Sequence, residues 1–130
     1  MFSKATVKYI RMSPRKVRQV ADLIRGKDVD KAFAILFNVK KLAVVYVGEL
    51  LKSAVSNAKR KQMDLNPEDL RITKLTVDGG PTMVRYRAAS MGRGSMIRRR
   101  MSHIKIELDV KEEAKKSKKA KGKVKKSKER

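Results

Sequence analysis

The stretch from residue 78 to residue 103 constrains the fold of this chain more than any other. It contains six arginines, and no acidic residue occurs between Asp78 and Glu107. Its apolar runs are two or three residues long, so it cannot bury itself in a hydrophobic core. Its own repulsion would keep such a cationic segment extended in water, and a surrounding polyanion would stabilise it. The six arginines are Arg85, Arg87, Arg93, Arg98, Arg99 and Arg100.

The pattern within this stretch predicts a protruding β-hairpin. Two β-compatible segments, residues 82–88 and 95–101, flank a centre of small residues at 89–92. Such an arrangement is typical of two strands joined by a wide tip. The thirteen residues from Val77 to Ser90 give a reach of roughly 40 Å at about 3.3 Å per residue. Residues 78–103 are called the arm below.

The N-terminal part predicts a strand followed by a basic helix. Residues 4–12 are rich in β-forming side chains. Ser13 and Pro14 suit the N-cap and first position of a helix, which we expect to end near Arg25, before Gly26. The first 21 residues contain six basic and no acidic side chains. This composition favours a phosphate-binding face over a merely solvated basic surface.

Two further helices are expected before residue 62. The first, near 30–38 and capped by Asp28 or Asp30, is apolar on more than one side and is predicted to be buried. The second, near 40–61, has one apolar stripe, and Gly48 within it indicates close packing. The stripe consists of Val47, Leu50, Leu51, Ala54, Val55 and Ala58.

Two strands are predicted on either side of the arm. In residues 70–78 the apolar side chains alternate, but the alternation shifts by one residue between Leu70 with Ile72 and Leu75 with Val77. This shift indicates a bulge or a twist. Residues 78–81 read either as a tight hairpin turn or as a kink where the strand enters the arm. Residues 103–108 alternate between polar and apolar side chains, as in a half-buried strand. The side chains expected to face the core are Ile104, Ile106 and Leu108.

Composition divides the chain into one domain, residues 1–110, and a tail, residues 111–130. The tail holds eleven Lys or Arg and three Glu, so it cannot form a core and is predicted to be disordered. Such a tail serves solubility or sequence-independent phosphate neutralisation. Over the whole chain, 35 basic and 13 acidic residues give a net charge of +22. The excess points first to nucleic acid as a partner and second to an acidic membrane surface.

No pattern in the sequence predicts catalysis. The chain has no cysteine and a single histidine, His103, so neither a metal site nor a cofactor is expected. The glycine pairs do not match a phosphate-binding loop, and no nucleophile has a base nearby in sequence. No apolar run approaches a membrane span, and the N-terminus lacks a secretory signal. We therefore predict a non-enzymatic protein of the cytoplasm or of an organelle matrix.

The residue types favour binding to a folded RNA. Arginine, which suits close bidentate contacts, dominates the arm, whereas lysine, which suits diffuse neutralisation, dominates the tail. Only one aromatic residue, Tyr86, lies in the arm, so a single-strand stacking platform has little support. An alternative is a histone-like or architectural DNA-binding protein. A membrane-surface binder is a third reading. It is disfavoured because the apolar residues of the first helix, Val17, Val20, Ala21 and Ile24, form a stripe that is expected to pack in the core.

Several stretches together resemble one known family. The chain is similar to the bacterial-type large-subunit ribosomal protein family called "L twenty-two", and the matching stretches follow the family's order across roughly residues 4–110. They are residues 13–18 (SPRKVR), 21–26 (ADLIRG), 51–54 with 57–58 (LKSA and NA), 77–78 with 80–81 (VD and GP), 92–93 (GR) and 100–104 (RMSHI).

The resemblance implies an α+β fold in which a small three-stranded antiparallel sheet packs with three helices and a long β-hairpin projects from the body. It implies a structural role early in assembly of the large ribosomal subunit, in contact with large-subunit rRNA and neighbouring ribosomal proteins. The hairpin of this family lines the nascent-peptide exit tunnel. Neither enzymatic activity, nor a cofactor, nor homo-oligomerisation is expected.

Carried onto this chain, the resemblance and the charge pattern predict two sets of site residues. The tip set departs from the family, which usually has Pro-Arg-Ala and a basic residue before Gly-Arg; here those positions are uncharged and lack proline. The predicted rRNA-binding residues are Arg11, Arg15, Lys16, Arg18, Arg25, Arg85, Arg87, Arg93, Arg98, Arg99, Arg100 and His103. The predicted tunnel-tip residues are Ala88, Ala89, Ser90, Met91 and Gly92.

Overall fold

Three helices packed on a three-stranded antiparallel sheet form the body of the protein, which confirms the predicted α+β class. The computed structural model describes residues 2–63 and 65–111. The predicted disordered tail lies outside the described residues apart from Lys111. Along the chain the elements are β1 (Ser3–Ile10), α1 (Pro14–Ile24), α2 (Val29–Asn38), α3 (Ala43–Lys61), a 3-10 turn (Pro67–Asp69), β2 (Leu70–Ala88), a second 3-10 turn (Ser90–Gly92) and β3 (Gly94–Val110).

The central strand of the sheet is β3, which pairs antiparallel with β1 on one side and β2 on the other. Ile104, Ile106 and Leu108 are fully buried, and the residues between them are half-exposed. This alternation confirms the predicted inward set, because successive side chains of a strand point to opposite faces. Both α1 and α3 pack against this strand, so its apolar residues lie at the centre of the core.

The boundaries of α1 agree with the predicted start and stop signals. Ser13 has extended backbone at the N-cap, and its carbonyl accepts hydrogen bonds from the amides of Lys16 and Val17, at 3.1 and 3.4 Å. Its hydroxyl makes no capping bond. Beyond the helix, Lys27 N donates to Ile24 O at 3.2 Å, and Gly26 has a φ of +72°. Glycine suits that position because it has no Cβ to clash.

Burial differs between the two remaining helices. The predicted stripe of α3 is buried in full, together with Ala43. In α2 the buried residues are Val29, Ala32 and Leu36, whereas Phe37 is 91% exposed. The prediction that α2 is covered on more than one side is therefore wrong at Phe37. Phe37 directly follows the buried Leu36, and one residue turns a helix by about 100°, so its side chain lies off the packed face. The expected close packing at Gly48 is also wrong, because nothing lies within 4 Å of an added Cβ.

The segment 78–81 is a kink within a continuous strand and not a hairpin turn. Pairing of β2 with β3 shifts register between Ile72 and Lys74, which confirms the predicted bulge, and again between Gly79 and Thr82. Beyond the second shift the two strands stay paired up to Ala88 and Gly94. The arm is therefore a direct extension of the sheet of the body, re-aimed by a bulge at its base.

We expect the Gly80→Ala substitution to destabilise the protein while Gly79→Ala does not. A Cβ at position 80 would lie 3.2 Å from the Met101 backbone and from the His103 ring, whereas position 79 is open. Overpacking of this kind costs about 1–3 kcal/mol, because the Met101 backbone and the His103 ring would have to shift. Chemical denaturation of both variants provides the measurement. Equal stability of the two variants would contradict the tight approach at Gly80.

Candidate nucleic-acid interface

A basic groove of about 680 Å³ lies where the base of the arm meets the start of α1. Six of its eleven lining residues are cationic, and none is acidic. The remaining side chains are a serine and four apolar residues, so the walls offer both charge and nonpolar surface. We call this site the groove; it is lined by Arg11, Met12, Ser13, Lys16, Leu42, Met83, Arg85, Arg98, Arg99, Arg100 and Met101.

Three separate parts of the chain supply the cations of the groove. Arg11 directly follows β1, Lys16 lies in the first turn of α1, and the remaining four are on the paired strands of the arm. The N-terminus of α1 adds to the positive potential, because its first turn has no acidic residue and no side chain caps it. The helix dipole at such an end favours an anion, in particular a phosphate.

The cations of the groove remain available to an external anion. Within the described residues, none of the six forms an ion pair with a carboxylate. Arg85 donates to Val84 O at 2.8 Å and to the Met83 sulfur at 3.8 Å, which leaves further guanidinium donors unused. Clustered guanidinium groups with free donors match the geometry of phosphate oxygens. The groove can therefore hold a polyphosphate backbone.

The outer part of the arm has two chemically different faces. Directly paired residues share a face, and Arg85 with Ile97 and Arg87 with Ser95 form a mainly basic one. The opposite face pairs Tyr86 with Met96 and Val84 with Arg98. Tyr86 and Met96 are exposed, as is Val84. Both faces of the ribbon thus carry arginines, and Tyr86 with Met96 forms an apolar patch on the second face.

The tip of the arm is closed by backbone hydrogen bonds. Ala89 N donates to Arg93 O at 2.8 Å, and Arg93 N donates to Ser90 O at 3.3 Å. Met91 and Gly92 have φ values of 57° and 68°, in the left-handed region. The Met91 side chain is 91% exposed. The tip is therefore a tight turn of small residues that projects one large apolar side chain.

The structure brings half of the predicted rRNA-binding residues into the groove. Arg87 and Arg93 lie further out on the arm, and Arg15 is exposed on α1. The apolar lining of the groove was missed, because it arises from the approach of distant segments and leaves no periodic signal in the sequence. The predicted residues found in the groove are Arg11, Lys16, Arg85, Arg98, Arg99 and Arg100.

Two predicted residues, Arg18 and Arg25, bond to the backbone of the body. Arg18 donates from Nε and Nη2 to Val77 O, at 3.1 and 2.9 Å. Arg25 donates in the same way to Leu75 O, with both distances 3.2 Å, and pairs with Asp22 at 2.6 Å. These contacts tie α1 to β2 just below the arm. Any contact of these side chains with RNA would use the donors that remain.

The last predicted residue, His103, lies at the base of the arm. Its Nδ1 accepts a hydrogen bond of 2.9 Å from Tyr9 N, and its ring contacts the Tyr9 ring edge-on, with centroids 4.9 Å apart. The sequence pattern identified Tyr9 only as a β-forming residue. Its position beside His103 depends on the pairing of β1 with β3, which spacing along the chain does not reveal.

The carboxylates of the body have nearby partners of their own. The hydrogen bond from Lys105 to Glu107, at 2.6 Å, together with the charges of Lys105 and Lys74, holds the pKa of Glu107 below its ordinary value of 4.5. A lowered pKa means that this carboxylate stabilises the fold at pH values above its unfolded pKa. That contribution is lost as the pH falls through the folded pKa.

Asp28 at the start of α2 behaves similarly. Burial acts to raise its pKa, but Lys111 and Lys31, at 3.3 and 3.5 Å, outweigh burial and bring the pKa below its ordinary value. Lys111 N also donates to Asp69 O at 2.8 Å, so ordered contacts extend one residue past β3. Glu107 and Asp28 are thus paired with nearby lysines, and neither carboxylate lines the groove.

Neither a metal centre nor a membrane span is found in the part of the chain that the structure describes. No three acidic or histidine side chains there lie close enough to hold a metal ion. None of the helices in residues 2–63 and 65–111 is both long and apolar enough to cross a bilayer.

Comparison with known proteins identifies the class to which this basic, arm-bearing body belongs. The family model described as ribosomal protein L22p/L17e matches residues 5–109. This match covers the body and the whole arm, and the chain therefore belongs to the ribosomal protein L22p/L17e family. The family is one of structural ribosomal proteins, so the prediction that the chain is not an enzyme is confirmed.

Individual relatives agree with the family. A protein of Halothermothrix orenii named large ribosomal subunit protein uL22 is 48% identical over 113 residues, covering 87% of this chain and 99% of the relative. Proteins of the same name from Carboxydothermus hydrogenoformans and Rubrobacter xylanophilus are 48% and 47% identical. Those two matches cover 82% and 84% of this chain, and 93% and 85% of the relatives.

Replacing Arg18 with glutamine is expected to lower the free energy of unfolding by about 1 kcal/mol, the net value of a hydrogen-bonded contact. The matched control is Arg15→Gln on the same helix, which removes the same charge from an exposed residue without a hydrogen bond or ion pair in the described part of the chain. Urea denaturation compares the two variants. If both variants unfold at the same urea concentration, the bonds from Arg18 to Val77 O contribute nothing to stability.

Proposed function

We propose that this protein is a structural constituent of the large ribosomal subunit in the cytoplasm, where it binds and organises large-subunit rRNA during assembly. The observation that carries the proposal is the groove, which gathers six cations and no carboxylate at the junction of body and arm. Membership of a ribosomal protein family and the names of the relatives support the same role.

Folded RNA fits the groove and the arm better than a DNA duplex does. The arm extends the sheet of the body by several paired residues beyond the kink, and most of its side chains are exposed. A narrow two-stranded ribbon can thread between RNA helices, whereas a protein that coats a duplex needs a broad surface. Groove and arm together offer contacts on several sides, as expected for binding that recognises RNA shape and phosphates.

The arm lines the nascent-peptide exit tunnel in this proposal. The face with Arg85 and Arg87 contacts rRNA, and the apolar patch of Tyr86 and Met96 on the opposite face is turned towards the tunnel interior. The tip residues Ala88 to Gly92 approach the nascent polypeptide. Their small size and lack of charge give a less basic tip than the family pattern, with the Met91 side chain as its main contact group.

The proposal also includes partners beyond rRNA and the nascent chain. The exposed parts of the helices contact neighbouring ribosomal proteins, and the protein acts as a single copy without self-association. Residues 112–130 add sequence-independent contacts with phosphate, an assignment that rests on their charge alone.

We expect the protein to prefer folded large-subunit rRNA to duplex DNA at equal phosphate concentration, because 2′-hydroxyls and A-form geometry are read by shape. Substituting Arg98, Arg99 and Arg100 with alanine should weaken rRNA binding. It should also reduce the slope of log affinity against log salt by roughly two to three, since three phosphate contacts are lost. Filter binding of the full chain at several salt concentrations measures both quantities.

The matched control for this experiment removes three charges outside the groove. Lys52, Lys59 and Arg60 lie exposed on α3, and their substitution with alanine changes the net charge equally. We expect the control, and a deletion of residues 112–130, to affect rRNA binding less than the substitutions in the groove. Equal competition by duplex DNA would favour the architectural DNA-binding alternative instead.

A photo-crosslinker at position 91 tests the tunnel assignment in cells. We expect the labelled protein to sediment with the large subunit and to crosslink to nascent chains, because Met91 is the most prominent side chain of the tip. Co-sedimentation with crosslinks to rRNA alone would contradict nascent-chain contact while preserving the subunit assignment. Absence from the subunit would contradict both.

A further inference from the structure

An exposed tyrosine, two residues before Arg11 of the groove, has a strained backbone conformation. Tyr9 occupies the irregularity between Val7 and Ile10 where β1 shifts its register against β3. Its φ is +60°, a region that bulky L-residues rarely adopt. Tyr9 is nevertheless 61% exposed, so burial of its ring provides little compensation for the strain.

Contacts with His103 fix the position of the tyrosine. The Tyr9 amide donates to His103 Nδ1 at 2.9 Å, and the two rings meet edge-on at 87°. In an edge-on contact the edge of one ring meets the face of the other. At most one face of the Tyr9 ring is therefore covered by His103. Because Nδ1 accepts, the neutral imidazole carries its proton on Nε2, where it can donate to a ligand. A flat aromatic surface is thus held in place and left open on at least one side.

The surroundings of Tyr9 suit a nucleic acid. Lys8 directly precedes Tyr9, and Arg11 follows it by two residues. Both cations are exposed, and Arg11 also lines the groove. A phosphate backbone that follows these cations would bring its bases close to the ring. Unpaired RNA bases stack on exposed aromatic side chains, and such stacking tolerates any base because every base has a π face.

We propose that Tyr9 is a stacking site for one unpaired base of the bound RNA. The proposal rests on the rRNA binding proposed above and adds a contact that the charge pattern alone does not predict. Such a role would account for the strained backbone of Tyr9, since strain of this kind is concentrated at functional sites. In the complex, the groove holds phosphates while Tyr9 holds a base beside it.

The test uses the full chain and folded large-subunit rRNA transcribed in vitro. Tyr9→Asn removes the ring, and asparagine adopts the left-handed region readily, so the variant should fold at least as stably as the wild type. We expect its Kd for the rRNA to rise roughly tenfold. Tyr9→Phe, which keeps the ring, should bind within about twofold of the wild type. Neither variant should change the salt slope, because no phosphate contact is lost.

A second variant without the ring distinguishes loss of stacking from a folding defect in Tyr9→Asn. Tyr9→Leu keeps an apolar side chain beside His103 but has no π face, and it should lose affinity as Tyr9→Asn does. Wild-type affinity for the rRNA in both Tyr9→Asn and Tyr9→Leu would overturn the stacking site. The proposal would also be overturned if both variants kept their rRNA affinity but failed to enter complete subunits. That result would indicate that Tyr9 contacts a protein partner. If the wild type itself shows no preference for the rRNA over duplex DNA, the proposed function fails and this inference fails with it.

Discussion

The pairing of β2 with β3 is the interaction on which the rest of the structure depends. One antiparallel ladder runs from Leu70 and Val110 in the body to Ala88 and Gly94 at the tip. At its inner end the ladder is covered by helices, and at its outer end both faces are bare. Because an isolated two-stranded ribbon is only marginally stable in water, the arm depends on the buried inner half of the same two strands. Hydrophobic burial around Ile104 and Ile106 therefore stabilises a distant surface that buries almost nothing itself.

Basic residues in this protein divide into structural and free ones, and the division follows geometry more than sequence. Arg18 lies on α1 near Lys16, and Arg25 directly follows the helix. Both donate to carbonyl oxygens of β2, whereas Lys16 lines the groove. A guanidinium group is well suited to the first role because its paired donors can hold one carbonyl from two nitrogens. Carboxylates such as Glu107 are neutralised by their own lysines. At the groove and along the arm, no arginine of the described residues pairs with a carboxylate.

Local patterns predicted much of the fold because each acts within a few residues. Alternation in residues 103–108, the stripe of α3 and the end of α1 before Gly26 all depend on strand or helix geometry alone. Features that arise from the meeting of distant segments were not predictable in this way. The exposure of Phe37 depends on where α2 meets its neighbours, and the bond from Arg18 to Val77 O depends on how α1 lies across β2. The groove belongs to the same group, since its apolar residues come from four separate elements or loops.

Strained backbone conformations occur at both ends of the proposed interface. Among the described residues, the only non-glycine positions with positive φ are Tyr9, at the base of the arm, and Met91, at its tip. Both side chains are largely exposed, so neither conformation is stabilised by burial within the protein. Glycine or asparagine would adopt these conformations with less strain, and selection for stability of the free chain alone would favour them. A large exposed side chain in a strained conformation is better explained by a contact made in the assembled state, where burial against a partner offsets the cost of the backbone.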